Sequence, residues 1–343
     1  MPYYFNLPVI TDLTPDQQRA VDETRPLALT GGPGTGKSVV SLWRHIRNHA
    51  TGVRNSLLLT YTKTLEHYLK ASASTQSENA GGSISRFDKN SNQFAGYEEI
   101  IIDEGQDINK SKFEVYFNYA SLISYGADER QSVYISQAEL NELFNWFNTD
   151  QRFQTNIPIT LNRNFRNSKE ILLFTRSVFP NYMIPQNTIN GATSTNLKPI
   201  LKLNIGWSLE EQVNEIADII NDFQSDTHNI AILVPTVAMV NNYFTQIRDS
   251  LDNSIPVSKY QNELDNFEGL SGVHVTTFKS SKGTEFDTVI IPEFDKFSWF
   301  LQNGHTVKEN DYYVAFTRTK TNLFLLCRNG FPNIGDRNTV TIE

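Results

Sequence analysis

Apolar and polar positions along this chain alternate between short unbroken apolar runs and stretches of helical period. In the first half, apolar runs occur within Leu27-Ala28-Leu29-Thr30, Ser56-Leu57-Leu58-Leu59-Thr60, Glu99-Ile100-Ile101-Ile102 and Ser121-Leu122-Ile123. In the second half they fall at Ile157–Leu161, Ile200–Leu203, Ile230–Val234, Val273–Thr277, Val289–Ile291 and Leu323–Leu326. Runs this short and this continuous predict strands buried on both faces. Helical period appears between them. Val39 to Ile46 follows the first run; Ser208–Phe223 puts Val213, Ile216, Ile220 and Phe223 on one face, with Ser208 and Glu211 as a capping box; Thr236–Leu251 repeats the pattern with Val240, Tyr243, Ile247 and Leu251. Residues 71–83, all small or polar, predict an exposed loop. The alternation predicts an α/β chain of parallel sheets flanked by helices. A length of 343 residues predicts two domains, placed at 1–150 and 151–343.

Composition changes this picture little. With 39% hydrophobic and 12% aromatic residues the chain is globular, and no apolar run approaches the roughly 20 residues of a membrane-spanning helix. Met1-Pro2-Tyr3-Tyr4-Phe5 lacks the basic flank of a signal peptide, and the single cysteine, Cys327, falls in a buried-strand pattern, so a cytoplasmic location without a membrane partner is expected. The net charge of −8 is spread, with 13 basic and 18 acidic residues over 1–150 and 17 and 20 over 151–343. No basic face advertises nucleic-acid binding, so any strand must sit in a local groove.

Candidate chemistry concentrates at strand ends. Thr30-Gly31-Gly32-Pro33-Gly34-Thr35-Gly36-Lys37-Ser38 joins an apolar strand to a helix with the spacing Gly-x-x-x-x-Gly-Lys-Ser. Glycines let backbone N–H groups wrap a triphosphate, the helix N-terminus adds positive dipole, Lys37 reaches the β- and γ-phosphates and Ser38 reaches Mg²⁺. A glycine-rich turn is the plainer alternative. Ile102-Asp103-Glu104-Gly105-Gln106-Asp107 ends a strand in acids, which suits Asp103 to a metal and Glu104 to a general base. Asp128 and Gln131 close the next strand, where a γ-phosphate contact and an ordinary turn stand equally open. Thr14-Pro15-Asp16-Gln17 is a helix cap; its nearness to the loop makes Gln17 a candidate reader of the adenine edge.

Together with Thr277-Phe278-Lys279-Ser280-Ser281-Lys282-Gly283-Thr284-Glu285-Phe286-Asp287 and Tyr313-Val314-Ala315-Phe316-Thr317-Arg318-Thr319-Lys320, these segments resemble superfamily 1 helicases of the UvrD/Rep kind, in the family's order from Gln17 to Lys320. The resemblance implies two tandem RecA-like P-loop NTPase domains with an ATP and Mg²⁺ site between them. It implies adenine recognition by Gln17, phosphate binding by Gly31, Gly34, Gly36 and Lys37, metal binding by Ser38 and Asp103, water activation by Glu104 and γ-phosphate sensing by Gln131. In Asn164-Phe165-Arg166-Asn167-Ser168 it implies adenine stacking by Phe165 and a γ-phosphate contact by Arg166. Glu285 would contact the ribose and Arg318 would be the arginine finger. For isolated arginines, surface ion pairing is the alternative.

Departures from the family are equally specific. Gly105 stands for alanine, Ala127 for glycine, Lys279 for histidine and Val39 for an arginine, while Ile135-Ser136-Gln137-Ala138 replaces a sequence carrying a base-stacking tryptophan. The large inserted subdomains are missing, which describes a motor reduced to its two engine domains. The expected activity is ATP hydrolysis coupled to single-stranded nucleic acid, DNA in preference to RNA, through Tyr61, Thr62, Lys63, Arg86, Phe87, Thr277 and Lys279. A protein partner supplying the missing subdomains would fit. The alternative is an ATP-dependent regulatory or switch subunit of a multiprotein defence or nuclease complex, without unwinding.

Overall fold

In the computed structural model, residues 7–88, 94–260, 270–302, 307–333 and 335–343 are described. The chain divides into two compact units, one ending at Arg163 and the other running Asn164–Glu343.

The first unit carries β1 (Leu27–Gly31), β2 (Ser56–Thr60), β3 (Ile84–Arg86), β4 (Glu99–Ile102), β5 (Leu122–Ala127) and β6 (Ile157–Leu161), in the order β3-β2-β4-β5-β1-β6. All its pairings are parallel. Helices α1 (Pro15–Asp22), α2 (Lys37–Thr51), α3 (Lys63–Ser74), α4 (Glu78–Gly82), α5 (Lys110–Tyr116) and α6 (Gln137–Thr149) complete the unit. The apolar runs alternate their side chains between two cores. Leu58, Ile101 and Leu29 pack with Val40 and Ile46 of α2 on one face, and Leu57, Leu59, Ile100, Ile102 and Tyr125 pack with Phe113 and Phe147 on the other. That double burial is why these strands read as continuous apolar runs.

Two expectations are corrected here. Ile157–Leu161, assigned by the sequence to the second half, pairs along its whole length with β1, from Leu27↔Ile157 to Gly31↔Leu161. The first unit therefore runs past 150/151, because a strand that pairs with β1 belongs to the sheet it extends. Residues 71–83 are mostly exposed, as expected, but are not a loop. They finish α3 and form α4, with Ala73, Ala80 and Gly81 buried. A Cβ on Gly81 would lie 2.0 Å from Ser74 Oγ, so the small side chains that suggest a loop are what lets the two helices touch.

The second unit has β7 (Ile200–Leu203), β8 (Ile230–Val234), β9 (Val257–Lys259), β10 (Val273–Thr277), β11 (Phe286–Ile291), β12 (Thr319–Cys327) and β13 (Thr341–Ile342), in the order β13-β7-β12-β11-β8-β10-β9, again all parallel. Its helices are α7 (Lys169–Val178), α8 (Gln186–Gly191), α9 (Leu209–Phe223), α10 (Val237–Ser250), α11 (Phe297–Gln302) and α12 (Glu309–Thr317). The Ser208 capping box on α9 forms with Glu211 as the sequence predicts. Leu323, Leu325 and a fully buried Cys327 face one core while Phe324 and Leu326 face the other. Each unit is thus a parallel α/β sheet flanked by helices, and no described helix is long and apolar enough to cross a membrane.

Candidate active site

The glycine-rich loop sits where β1 hands over to α2. Gly31, Gly34 and Gly36 all have positive φ, and Gly36 caps α2 at φ 89°. A Cβ on Gly36 would lie 2.4 Å from Gln17 Nε2, so that side chain would have to shift, and the left-handed φ is what favours glycine there. Gln17 is buried; its Oε1 accepts from Thr14 N at 2.9 Å, completing the α1 cap, and its Nε2 donates to Thr35 O at 3.1 Å. Gln17 therefore ties α1 onto the loop. The Lys37 ammonium, also buried, donates to Gly31 O at 2.7 Å and Gly32 O at 3.1 Å. Ser38 follows in the first turn of α2 and is half-buried.

The acids meet this loop across β5. A Cβ placed on Gly126 would lie 3.6 Å from Asp103 Oδ1, 3.7 Å from Ser41 Oγ and 3.8 Å from Lys37 Cβ, which puts the Asp103 carboxylate beside the start of α2. Mg²⁺ is held through one or two protein oxygens with water and phosphate completing its shell. One buried carboxylate near the helix whose first turn carries the half-buried Ser38 fits that donor set. Among the described residues there is no cluster of three or more acidic, histidine or cysteine side chains that would hold a metal without such help.

Glu104 is bent into the left-handed region, φ 59° and ψ 41°. For a non-glycine residue this costs about 1 to 3 kcal/mol and persists only where surrounding contacts enforce it. Those contacts form a relay. Gln106 Nε2 donates to Glu104 Oε2, Asp128 N donates to Gln106 Oε1 at 3.0 Å, and Gln131 Nε2 donates to Asp128 Oδ2 at 2.8 Å. Val133 N donates to Asp107 Oδ1 at 3.1 Å, which pins the following 3-10 turn. The structure thus joins Glu104 to Gln131 through Gln106 and Asp128, and gives Gln106 a role that its place in the acidic segment alone does not reveal. The signal was its place two residues after Glu104, with an amide able to donate and accept at once.

A second buried cluster sets the angle of α2. Glu99, at the head of β4, accepts from Arg44 Nε and Nη2 at 3.0 and 2.9 Å, from Asn48 Nδ2 at 3.0 Å and from Arg54 Nη1 at 3.1 Å. Arg44 also donates to the Glu23 and Arg25 carbonyls. The strand that carries Asp103 and the helix that begins at Lys37 are therefore fastened at their far ends too.

In the second unit, Asn164 Oδ1 accepts from Arg166 N and Asn167 N, and Asn167 Nδ2 donates to Thr317 O and Thr319 O. This hooks the Asn164–Ser168 turn onto the end of α12. Arg166 Nε donates to Glu285 Oε2 at 2.9 Å, so two residues far apart in sequence converge. Arg318, with 1% exposure, donates through Nε to Val314 O at 3.2 Å and through Nη1 to Thr284 O at 3.5 Å. Main-chain carbonyls thus hold this buried guanidinium on two sides. Phe165 is 50% exposed. Burial pushes the Glu285 carboxyl up, but Arg166 and Lys320 more than offset this and hold it below the usual range.

The expected strand contacts divide. Tyr61 stacks on Phe87 at 4.6 Å and on Tyr134 at 4.1 Å between ring centroids, and Tyr134 remains partly exposed. Burial, with Asp107 and Asp88 nearby, pushes the Tyr61 phenol up to about 12. Lys112 Nζ lies 4.6 Å from the centre of the Phe87 ring. Lys63 opens α3, but Thr62 serves as its N-cap and Arg86 is paired with Glu66 and Asp88, each at 3.4 Å. Thr277 caps the turn that follows β10 by bonding Ser280, and Lys279 lies 3.8 Å from the buried Asp311.

The chain resembles a curated relative and several solved structures. No family model matches. The chain is 22% identical over 257 residues to the putative ATP-dependent DNA helicase R568 of Acanthamoeba polyphaga mimivirus, covering 68% of this chain and 35% of that protein. Among solved structures it matches the DUF1998 helicase MrfA bound to DNA with a TM-score of 0.54 at 12% identity, over 93% of this chain and 46% of that one. The likeness is to helicases. The helicase-like fold covers nearly the whole chain, whereas the chain spans only about a third of the length of the mimivirus relative. An arterivirus helicase, nonstructural protein 10 in complex with DNA, matches with a TM-score of 0.46 at 12% identity, over 93% of this chain and 63% of that one.

Proposed function

We propose that the chain is an ATP-hydrolysing, superfamily 1 helicase-like motor of the UvrD/Rep kind, in a minimal form, acting on single-stranded nucleic acid and on DNA in preference to RNA. The observation that carries this reading is the first unit's loop–acid arrangement. Lys37 is buried at the loop, the Asp103 carboxylate lies beside the start of its helix, and Glu104 is held in a costly conformation by a relay that ends at Gln131. Backbone strain of this kind clusters at functional sites, and a carboxylate next to a loop of backbone N–H donors is placed to serve as a hydrolytic base.

In this reading Gly31, Gly34, Gly36 and Lys37 take the phosphates and Ser38 and Asp103 hold Mg²⁺, which supplies charge neutralisation on the β- and γ-oxygens. Glu104 draws the proton from the attacking water and Gln131 orients the γ-phosphate. Gln17 recognises the adenine and Phe165 stacks on it, Glu285 takes the ribose, and Arg166 and Arg318 neutralise charge on the transferred phosphoryl group. Of the stacked Phe87, Tyr61 and Tyr134, the partly exposed Tyr134 is the ring offered to a base, a contact worth roughly 1 to 3 kcal/mol per base. Thr62 and Arg86 are committed to internal partners. The reading as a switch subunit predicts the same nucleotide chemistry without strand dependence.

Lys37→Ala is expected to abolish ATP hydrolysis and to weaken ATP binding at least tenfold, measured by steady-state phosphate release and by titration with a fluorescent ATP analogue. Wild-type rates in Lys37→Ala would refute the assignment of the loop.

A further inference from the structure

Gly126 lies in β5, a strand paired with β4 on one side and β1 on the other. β5 turns Ile123, Tyr125 and Ala127 into one core, which leaves Ser124 and Gly126 on the opposite face. That face meets α2. Ser124 Oγ donates to Glu99, which also accepts from Arg44 of α2, and Gly126 faces Lys37 and Ser41 at the start of the same helix.

Neither backbone nor packing demands a glycine there. Its φ lies outside the left-handed region. A Cβ would meet Asp103 Oδ1 at 3.6 Å, Ser41 Oγ at 3.7 Å and Lys37 Cβ at 3.8 Å, all ordinary van der Waals contacts. Alanine would fit, and inside a strand it would be more stable than glycine. Glycine in a strand interior often marks a place where a ligand comes close.

The chemistry of the walls says what kind of ligand. Ser41 stands one turn beyond Lys37 on α2, so the two share a face, and it is buried, as are Asp103 and Gly126. A space of methyl size bordered by a carboxylate and a hydroxyl suits one water molecule, which is held in a protein interior by two or more polar partners. A carboxylate accepts about four hydrogen bonds, so this one adds to the others that Asp103 makes.

We propose that Gly126 and Ser41 form a seat for one water molecule, which hydrogen-bonds Ser41 and the Asp103 carboxylate and fixes the orientation of that carboxylate toward a divalent cation. Ser41 is thus a positioning residue. The inference rests on the reading above in which Asp103 holds Mg²⁺, and it involves the first unit alone. Groups that orient a metal's ligands change its affinity by roughly ten- to a hundredfold.

The test is binding of Mn²⁺ to the purified chain in the presence of ADP, read by electron paramagnetic resonance, beside thermal unfolding of each variant. Gly126→Ala, which puts a methyl group in the seat, is expected to weaken Mn²⁺ binding about tenfold with Tm unchanged or raised. Ser41→Ala keeps the space and removes one partner of the water, and is expected to weaken binding by a similar factor. The double variant is expected to bind no more weakly than the weaker single variant, because both changes dislodge the same water. Wild-type affinity in either single variant, or losses that multiply in the double variant, would overturn the proposal. So would a lowered Tm in Gly126→Ala, which would assign the space to packing. Asp103→Asn separates the two readings. If it binds Mn²⁺ as wild type does, the assignment of the metal to Asp103 has failed; if it loses Mn²⁺ while the seat variants keep it, the seat alone has failed.

Discussion

Glu104→Gln is expected to bind ATP as wild type does and to hydrolyse it roughly a hundred- to ten-thousandfold more slowly, the range that a positioned general base contributes. The substitution keeps the shape of the side chain and still accepts from Gln106 Nε2, so the relay through Asp128 to Gln131 stays assembled. What it removes is the proton acceptor. Stability is expected to hold or rise slightly, since the left-handed backbone at φ 59° is retained and one buried charge is lost. Single-turnover hydrolysis with pre-bound ATP separates the two steps. Normal binding with slow chemistry is the expected outcome, and turnover within about tenfold of wild type would remove Glu104 from the role of base.

Arg318→Ala is expected to lower turnover by roughly three to five powers of ten, the worth of an arginine finger. Its burial demands a control, because a guanidinium bonded to the Val314 and Thr284 carbonyls also packs the end of α12. Removing it takes a donor from the Thr284 carbonyl, at a cost of about 1 to 3 kcal/mol, while Val314 O keeps the Arg318 N–H and the Thr317 hydroxyl. Arg318→Lys keeps a cation but loses the fork, and is expected to remain folded while losing most of the rate. Thermal unfolding of both variants beside their kcat distinguishes a folding defect from a catalytic one. If Arg318→Lys turns over at the wild-type rate, the residue is packing and not finger.

Much of this arrangement is written locally in the chain. The β1–α2 loop, the acids after β4 and the caps at Thr14 and Ser208 are each specified by residues within a few positions of one another, and each forms as the spacing predicts. What the sequence conceals depends on distant partners. Ile157–Leu161 carries no mark of which sheet it will join, because a parallel partner is chosen by the crossover between strands and not by the strand itself. Ala73, Ala80 and Gly81 have the composition of a loop and the geometry of a helix contact. Gln106, Arg44 with Glu99, and Lys320 with Glu285 matter through bonds that only the folded chain creates.

The measurement that bears most directly on the motor reading is steady-state ATP hydrolysis by the purified chain with and without single-stranded DNA or RNA, at low and high salt, with Lys37→Ala as the blank. A motor predicts stimulation of several-fold or more by single strands, DNA above RNA, that weakens as salt rises. A rate unmoved by either strand, and raised only by a co-purifying protein, would contradict it.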